Sequence, residues 1–368
     1  MNGNLLELSS IGVSIWLDDL SRGRLESGNL RELIDSSSVV GVTTNPAIFN
    51  AAIGTGSQYA DQIKELASKG ADVGAAIEAM TTDDVRAACD LFAPIYEATH
   101  GRDGRVSIEV DPRLADKAEE TVAAAKNLWQ VVDRPNAMIK IPATAAGLEA
   151  IPEVIGAGIS VNVTLIFSVP QYRQVVEAYW AGLEKAREAG IDLSTITSVA
   201  SFFVSRVDAL VDSLLDKKGG EEAAQLRSKA GVANARLAYE AYQESLQQER
   251  WTELARDGAT KQRPLWASTG VKDPSLKPTL YVDELAAPDT VNTMPEKTMK
   301  AVAESAELHG DAVSANIGEA HQVFAALAEA GIDFSAVSRQ LLDEGVKKFE
   351  VAWEELLASV KEALAASK

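Results

Sequence analysis

The chain has 368 residues, of which 46% are hydrophobic and 24% charged, and its 54 acidic against 35 basic side chains leave a net charge of −19. That length exceeds the roughly 250–300 residues of one ordinary core, so it calls for two domains or one elaborated α/β barrel. The negative field excludes sequence-independent nucleic-acid binding and disfavours anionic lipid, while a small anionic substrate would need a local basic pocket.

The single cysteine, Cys89, excludes a disulfide framework, and His100, His309 and His321 are too scattered for a metal centre. The opening MNGNLLELSS lacks the basic start and apolar run of a signal peptide. No stretch reaches the roughly 20 apolar residues that span a bilayer. A cytoplasmic protein with neither nucleic acid nor membrane as partner is expected.

In chain order, apolar runs predict eight strands: Ser14–Asp18, Val39–Asn45, Val106–Val110, Ala137–Pro142, Ser160–Thr164, Ile196–Phe203, Pro264–Thr269 and Thr290–Met294. Helical periodicity fills the gaps. Val85, Cys89, Phe92 and Tyr96 share one face over 82–97, with Thr82 as N-cap. Leu114, Ala118, Val122, Ala125 and Trp129 share another over 113–130. The connections 46–105 and 207–263 are too long for a minimal barrel and must hold extra helices. The tail, 333–368, carries the stripe Val346, Phe349, Trp353, Leu356, Leu357, Val360 and Leu364, which covers its own barrel or makes a dimer contact. Trp266 reads as a barrel-layer residue, and His309 and His321 as helix-surface residues.

Eight strands alternating with helices predict a (β/α)₈ TIM barrel as a single domain over 1–368. The alternative, an open doubly wound sheet, would carry a glycine-rich turn after its first strand. No G-x-G-x-x-G, Walker A, G-x-S-x-G or H-E-x-x-H is present, which removes dinucleotide, P-loop, hydrolase-elbow and zincin readings.

Barrel strands are covered on both faces and should be continuously apolar. Several here are not. Thr43 and Asn45, Ser107 and Glu109, and Asn162 and Thr164 are polar pairs two residues apart, so each pair shares one side of its strand end. Asp18 closes the first strand, Glu109 lies late in the third, and Lys140 sits within MIKIP. Buried charges cost several kcal/mol unless paired or neutralised, so an internal ion pair is one explanation and a catalytic site the other. Polar groups gathered at C-terminal strand ends favour the site. A strand lysine among carboxylates, without metal ligands, points to Schiff-base chemistry. An unperturbed lysine is only about 0.04% neutral at pH 7. Burial would lower its pKa and the carboxylates raise it, and the sequence leaves that balance open. Ser201 and Arg206 after the sixth strand, with Ser268 and Lys272 after the seventh, stand where barrels hold phosphate.

These same residues carry a family resemblance. GVTTNPAIF (41–49), SIEVDPR (107–113), MIKIPAT (138–144), VNVTLIFS (161–168), SFFVSRVD (201–208) and YVDELAAPDTVNTMP (281–295) together resemble the transaldolases over essentially the whole chain, in the branch with longer chains. The resemblance implies Lys140 as the Schiff-base lysine, Asp18 as the acid/base at the C4 hydroxyl, and Glu109 with Thr164 around a catalytic water. It implies Asn45, Asn162 and Ser201 as contacts to the dihydroxyacetone part, with Thr43 on the same strand end, and Arg206 and Ser268 as phosphate contacts. Where the family commonly has an arginine, this chain reads STGVK, and Lys272 takes that role. The implied reaction moves a three-carbon ketol unit between sugar phosphates, without cofactor or metal, in a monomer or homodimer. Two alternatives stand beside it. One is a fructose 6-phosphate aldolase of the same superfamily, a branch that tends to carry glutamine and tyrosine where this chain has Glu109 and Phe203. The other is a non-catalytic sugar-phosphate-binding barrel.

Overall fold

A computed structural model describes residues 3–55 and 57–367. The outermost residues of the expected domain, 1–368, and Lys368 of the expected tail lie outside the described residues. Eight parallel strands close in sequence order into a barrel. They are β1 (Val13–Leu17), β2 (Val39–Val42), β3 (Arg105–Glu109), β4 (Ala137–Pro142), β5 (Val161–Ile166), β6 (Ser198–Phe203), β7 (Arg263–Ala267) and β8 (Thr290–Met294). The TIM-barrel expectation holds, and every expected strand is present within a few residues of its expected ends.

Inward-facing residues stack in layers, as a period of two requires. Along β1 and just past its end, Ser14, Trp16 and Asp18 climb from the N-terminal rim to the C-terminal rim. Trp16, Met138, Val199, Leu265 and Val291 form the buried apolar middle. Trp16 demands Gly41 on the neighbouring strand, because a Cβ there would lie 2.6 Å from the indole. Trp266 points the other way. It packs edge-on to Phe202 and donates to the Leu285 carbonyl, so the indole inside the barrel is Trp16.

The two long connections contain the expected extra helices. The β2–β3 link holds Pro46–Thr55, Ala60–Ser68 and Val73–Ala98, and the β6–β7 link holds Ser205–Lys218, Glu221–Leu226, Ala230–Ser245 and Glu249–Arg256. The Val73–Ala98 helix begins well before 82. Asp72 caps it through the Ala75 N–H, while Thr82 lies inside and bonds back to the Glu78 carbonyl. Leu114 belongs to a short 3₁₀ turn, and the following helix is Ala118–Val132. His321 is on an exposed helix face, bonded to Glu240, but His309 stands in a loop.

The C-terminal helix, Phe334–Ala366, is capped by Asp333 and runs across the C-terminal rim of its own barrel. Phe349, Leu356, Val360 and Leu364 are buried, so the apolar stripe is satisfied within the chain. Gly345 lets the helix approach closely, since a Cβ there would meet the Leu165 side chain at 3.0 Å. No helix among the described residues is long and apolar enough to cross a membrane.

Candidate active site

The strand ends that carry polar pairs converge at the C-terminal rim. A pocket of about 90 Å³ is lined there by Asp18, Thr43, Asn45, Lys140, Thr164, Ser201, Arg206 and Ser268, among others. Glu109 and Asn162 adjoin it, each directly abreast of Lys140 on a neighbouring strand. Lys272 is the exception. It is exposed and lines a separate cleft with Asp208 and Asp212.

Lys140 is only 5% exposed; its Nζ donates to the Thr44 carbonyl at 2.9 Å and lies 3.8 Å from Glu109 Oε2. Burial pushes the Glu109 carboxyl up to about 7 against the pull of Lys140. Asp18 is also held above the usual carboxylate range by burial, opposed by Lys140 and by the hydrogen bond from Thr43. Thr43 donates to Asp18 Oδ1 at 2.7 Å and lies 2.6 Å from the Thr293 hydroxyl, which fixes the carboxylate's orientation.

A chain of side chains floors the pocket. Ser201 donates to Asn162 Oδ1 at 2.7 Å, and Asn162 Nδ2 donates to Ser107 at 3.0 Å. Asn45 caps the Pro46–Thr55 helix by accepting the Ile48 N–H at 3.1 Å, which holds the residue at the pocket edge. Arg206 projects from the start of the Ser205–Lys218 helix and lies over the Phe203 ring at 4.9 Å. Burial lowers its pKa, with Asp18 and Glu109 opposing.

Three polar atoms here are buried with no hydrogen-bond partner: Glu109 Oε2, Thr164 Oγ1 and Arg206 Nη1. Such groups are costly unless something else is meant to meet them. Two non-glycine residues at the site hold left-handed backbone, Ser268 in the pocket wall at φ 57° and Leu165, directly after the lining Thr164, at φ 60°. Positions of that kind cost about 1–3 kcal/mol and gather at functional sites. At Leu165 the β5–β6 register shifts, so β5 continues past Thr164 to Ile166 instead of ending there. Gln171 supports the bend by donating to the Leu165 carbonyl and accepting the Phe167 N–H.

Sequence reasoning missed Thr293, Ser205 and Phe349. Ser205 pairs with the Ser268 hydroxyl at 2.8 Å. Phe349 of the C-terminal helix roofs the pocket, its ring 5.7 Å from Lys140 Nζ. The amphipathic stripe was the available signal, but it does not say what an apolar face covers. Among the described residues no group of histidine, cysteine and carboxylate side chains is placed to hold a metal ion.

Fold and pocket together define a (β/α)₈-barrel enzyme built around a buried lysine flanked by carboxylates. Residues 15–360 match the family described as Transaldolase/Fructose-6-phosphate aldolase. Similarity to curated proteins runs end to end. The chain is 62% identical to Transaldolase 1 of Streptomyces avermitilis over 361 residues, covering 98% of this chain and 96% of that one. It is 60% identical over 367 residues to a transaldolase of Mycolicibacterium smegmatis, covering 100% and 99% of the two chains. A transaldolase of Mycobacterium tuberculosis is 59% identical over 361 residues, 98% of this chain and 97% of its own. The chain belongs to the transaldolase/fructose-6-phosphate aldolase family.

Proposed function

We propose that this single-domain barrel is a transaldolase of the non-oxidative pentose phosphate pathway. It moves dihydroxyacetone from fructose 6-phosphate to erythrose 4-phosphate, giving glyceraldehyde 3-phosphate and sedoheptulose 7-phosphate, through a Schiff base on Lys140. The observation that carries the reading is one buried amine with a carboxyl near pH 7 at 3.8 Å and a second carboxylate across the pocket.

Neutral Lys140 attacks the C2 carbonyl, and the carbinolamine loses water with a proton from Glu109, helped by Thr164. Asp18, oriented by Thr43, accepts the C4 hydroxyl proton as the C3–C4 bond breaks into the iminium electron sink. Asn45, Asn162 and Ser201 bind the hydroxyls of the retained three carbons. Arg206 binds the phosphate of the departing aldose with Ser268, and Lys272 adds charge from its neighbouring cleft. The acceptor enters and the steps reverse. No step calls on a cofactor. The enzyme works in the cytoplasm as a monomer or homodimer.

Transfer is favoured over simple aldol cleavage because Phe203, at the pocket wall, has no hydroxyl with which to protonate the enamine. Relatives at 59–62% identity carry the transaldolase name. Borohydride added with fructose 6-phosphate should leave a dihydroxyacetone-sized mass on the peptide containing Lys140. A label on another lysine, or none, refutes the reading. Turnover that ignores erythrose 4-phosphate would assign the aldolase instead.

A further inference from the structure

Glu109 faces a space other than the sugar pocket. A side cavity of about 240 Å³ lies between the Val73–Ala98 helix, the Ala118–Val132 helix and the C-terminal helix. Glu109 is in its wall and is not among the residues lining the sugar pocket, whereas Asn45 borders both. The other walls are mainly apolar, Phe49, Ile108 and Leu128 among them. Two of its lining residues each keep a fully buried polar atom without a hydrogen-bond partner, Glu109 Oε2, which lies toward Lys140, and Trp353 Nε1. The side cavity is the larger of the two spaces, about 240 Å³ against about 90 Å³ for the sugar pocket. A sugar phosphate bound at Lys140 occupies the smaller space, roofed by Phe349.

We propose that the side cavity is the water and proton port of the imine step, serving Glu109 from behind while the sugar phosphate closes the front. The inference rests on the Schiff-base reading. When the carbinolamine collapses, the nitrogen lone pair forms C=N, the C2–O bond breaks, and the hydroxyl leaves as water with the proton of Glu109. In the reverse direction an incoming water attacks C2 and gives its proton to Glu109. Each full turnover releases one water and takes up one. The C-terminal helix roofs the front with Phe349, so a water leaving that way would have to pass the bound sugar.

Ala124 and Gly74 line the cavity from two different helices and neither borders the sugar pocket. Leucine at either fills the port from its own side. The readout is exchange of oxygen from ¹⁸O-water into C2 of fructose 6-phosphate, above the enzyme-free rate, together with the rate of borohydride trapping. Ala124→Leu and Gly74→Leu should each slow both by roughly tenfold or more, a share of what general acid–base catalysis contributes. KM for fructose 6-phosphate and the circular-dichroism melt should stay as in the parent. Ala124→Ser, which keeps the space, should exchange at the parent rate. Parent-rate exchange in both leucine variants, or equal loss in Ala124→Ser, overturns the port. A parent enzyme that neither exchanges nor traps overturns the Schiff-base reading instead, so the two failures are distinct.

Discussion

The two rims of the barrel both bury charge on strands, yet they treat it in opposite ways. At the N-terminal rim, Arg105 donates to the carbonyls of Gly101 and Pro135 and to the hydroxyls of Ser160 and Thr197. Arg263 meets Ser14, the Arg102 carbonyl and Asp103, and Asp103 also accepts from Ser14 and the Trp16 indole. At the C-terminal rim, Glu109, Thr164 and Arg206 each keep a buried polar atom unpartnered. Burial alone does not separate a structural plug from a working site; the charged groups of the plug are met within the chain, whereas Glu109 and Arg206 each leave a polar atom without a hydrogen bond.

The sharpest way to break this contrast is an isosteric amide at each rim. Asp18→Asn keeps its shape but cannot take the C4 proton, so turnover should fall about 10²–10⁴-fold. Borohydride trapping should persist, because its water is handled by Glu109 and Thr164. Asp103→Asn should leave activity per folded molecule near the parent value. A trapping-dead Asp18→Asn would move Asp18 into the imine step.

Stability should respond in the opposite sense. Arg263→Leu strands Asp103 without its cation, and breaking one partner of such a pair costs about 3–5 kcal/mol in urea unfolding. Arg206→Met removes a guanidinium that burial already disfavours and that keeps one nitrogen unpartnered, so stability should hold or rise. The same change should lower kcat/KM for fructose 6-phosphate roughly 10–150-fold while barely touching fructose, which offers no phosphate. An equal fall on both sugars would place Arg206 in the fold rather than the grip.

A pH profile distinguishes the rims again. Burial raises Glu109 to about 7, so the proton it gives the carbinolamine is present below that pH and lost above it. The trapping rate should decline as pH rises through about 7, and that inflection should vanish in Glu109→Gln. Arg105 at the other rim is lowered by burial only to about 10, outside the assayed range. An inflection that survives Glu109→Gln belongs to another group.

Most of the C-terminal rim was legible because polar residues interrupted strands that should have been apolar, at a spacing of two. Lys140, Asp18 and Glu109 came out together for that reason. The N-terminal plug was not, since Arg105 and Arg263 stand at strand starts and look like ordinary boundary polarity. The bend at Leu165 was equally hidden; leucine gives no sign of left-handed backbone, and only Gln171 and the close approach of Gly345 reveal its support. The early start of the Val73–Ala98 helix was missed because its first turns are small residues with weak periodicity. Lys272 was assigned where the family commonly has an arginine after Ser268, and the structure places it in the neighbouring cleft.

The position of Lys272 yields the smallest and last expectation. The phosphate grip still has room for charge beyond Arg206, whose Nη1 lies unpartnered beneath the C-terminal helix. A Cβ at Gly345 would sit 3.7 Å from that nitrogen, and Lys348 follows three residues later, next to the roofing Phe349. Partial burial lowers the Lys272 pKa, as do the charges of Arg206 and Lys348, so the three cations share one neighbourhood. Lys272 shares its cleft with Asp208 and Asp212, which offset its pull on an anion, whereas Lys348 is exposed on the C-terminal helix beside Phe349. Lys348→Ala should therefore cost more than Lys272→Ala. Both are solvent-screened contacts, so the loss should be roughly threefold in kcat/KM at low ionic strength and vanish as the Debye length shrinks toward ~3 Å at 1 M salt. Arg206→Ala should keep most of its effect at both salts, because a buried contact is screened far less. A salt-insensitive loss in Lys348→Ala would make it a direct ligand of the phosphate, and a larger loss in Lys272→Ala would return the second cation to the loop after β7.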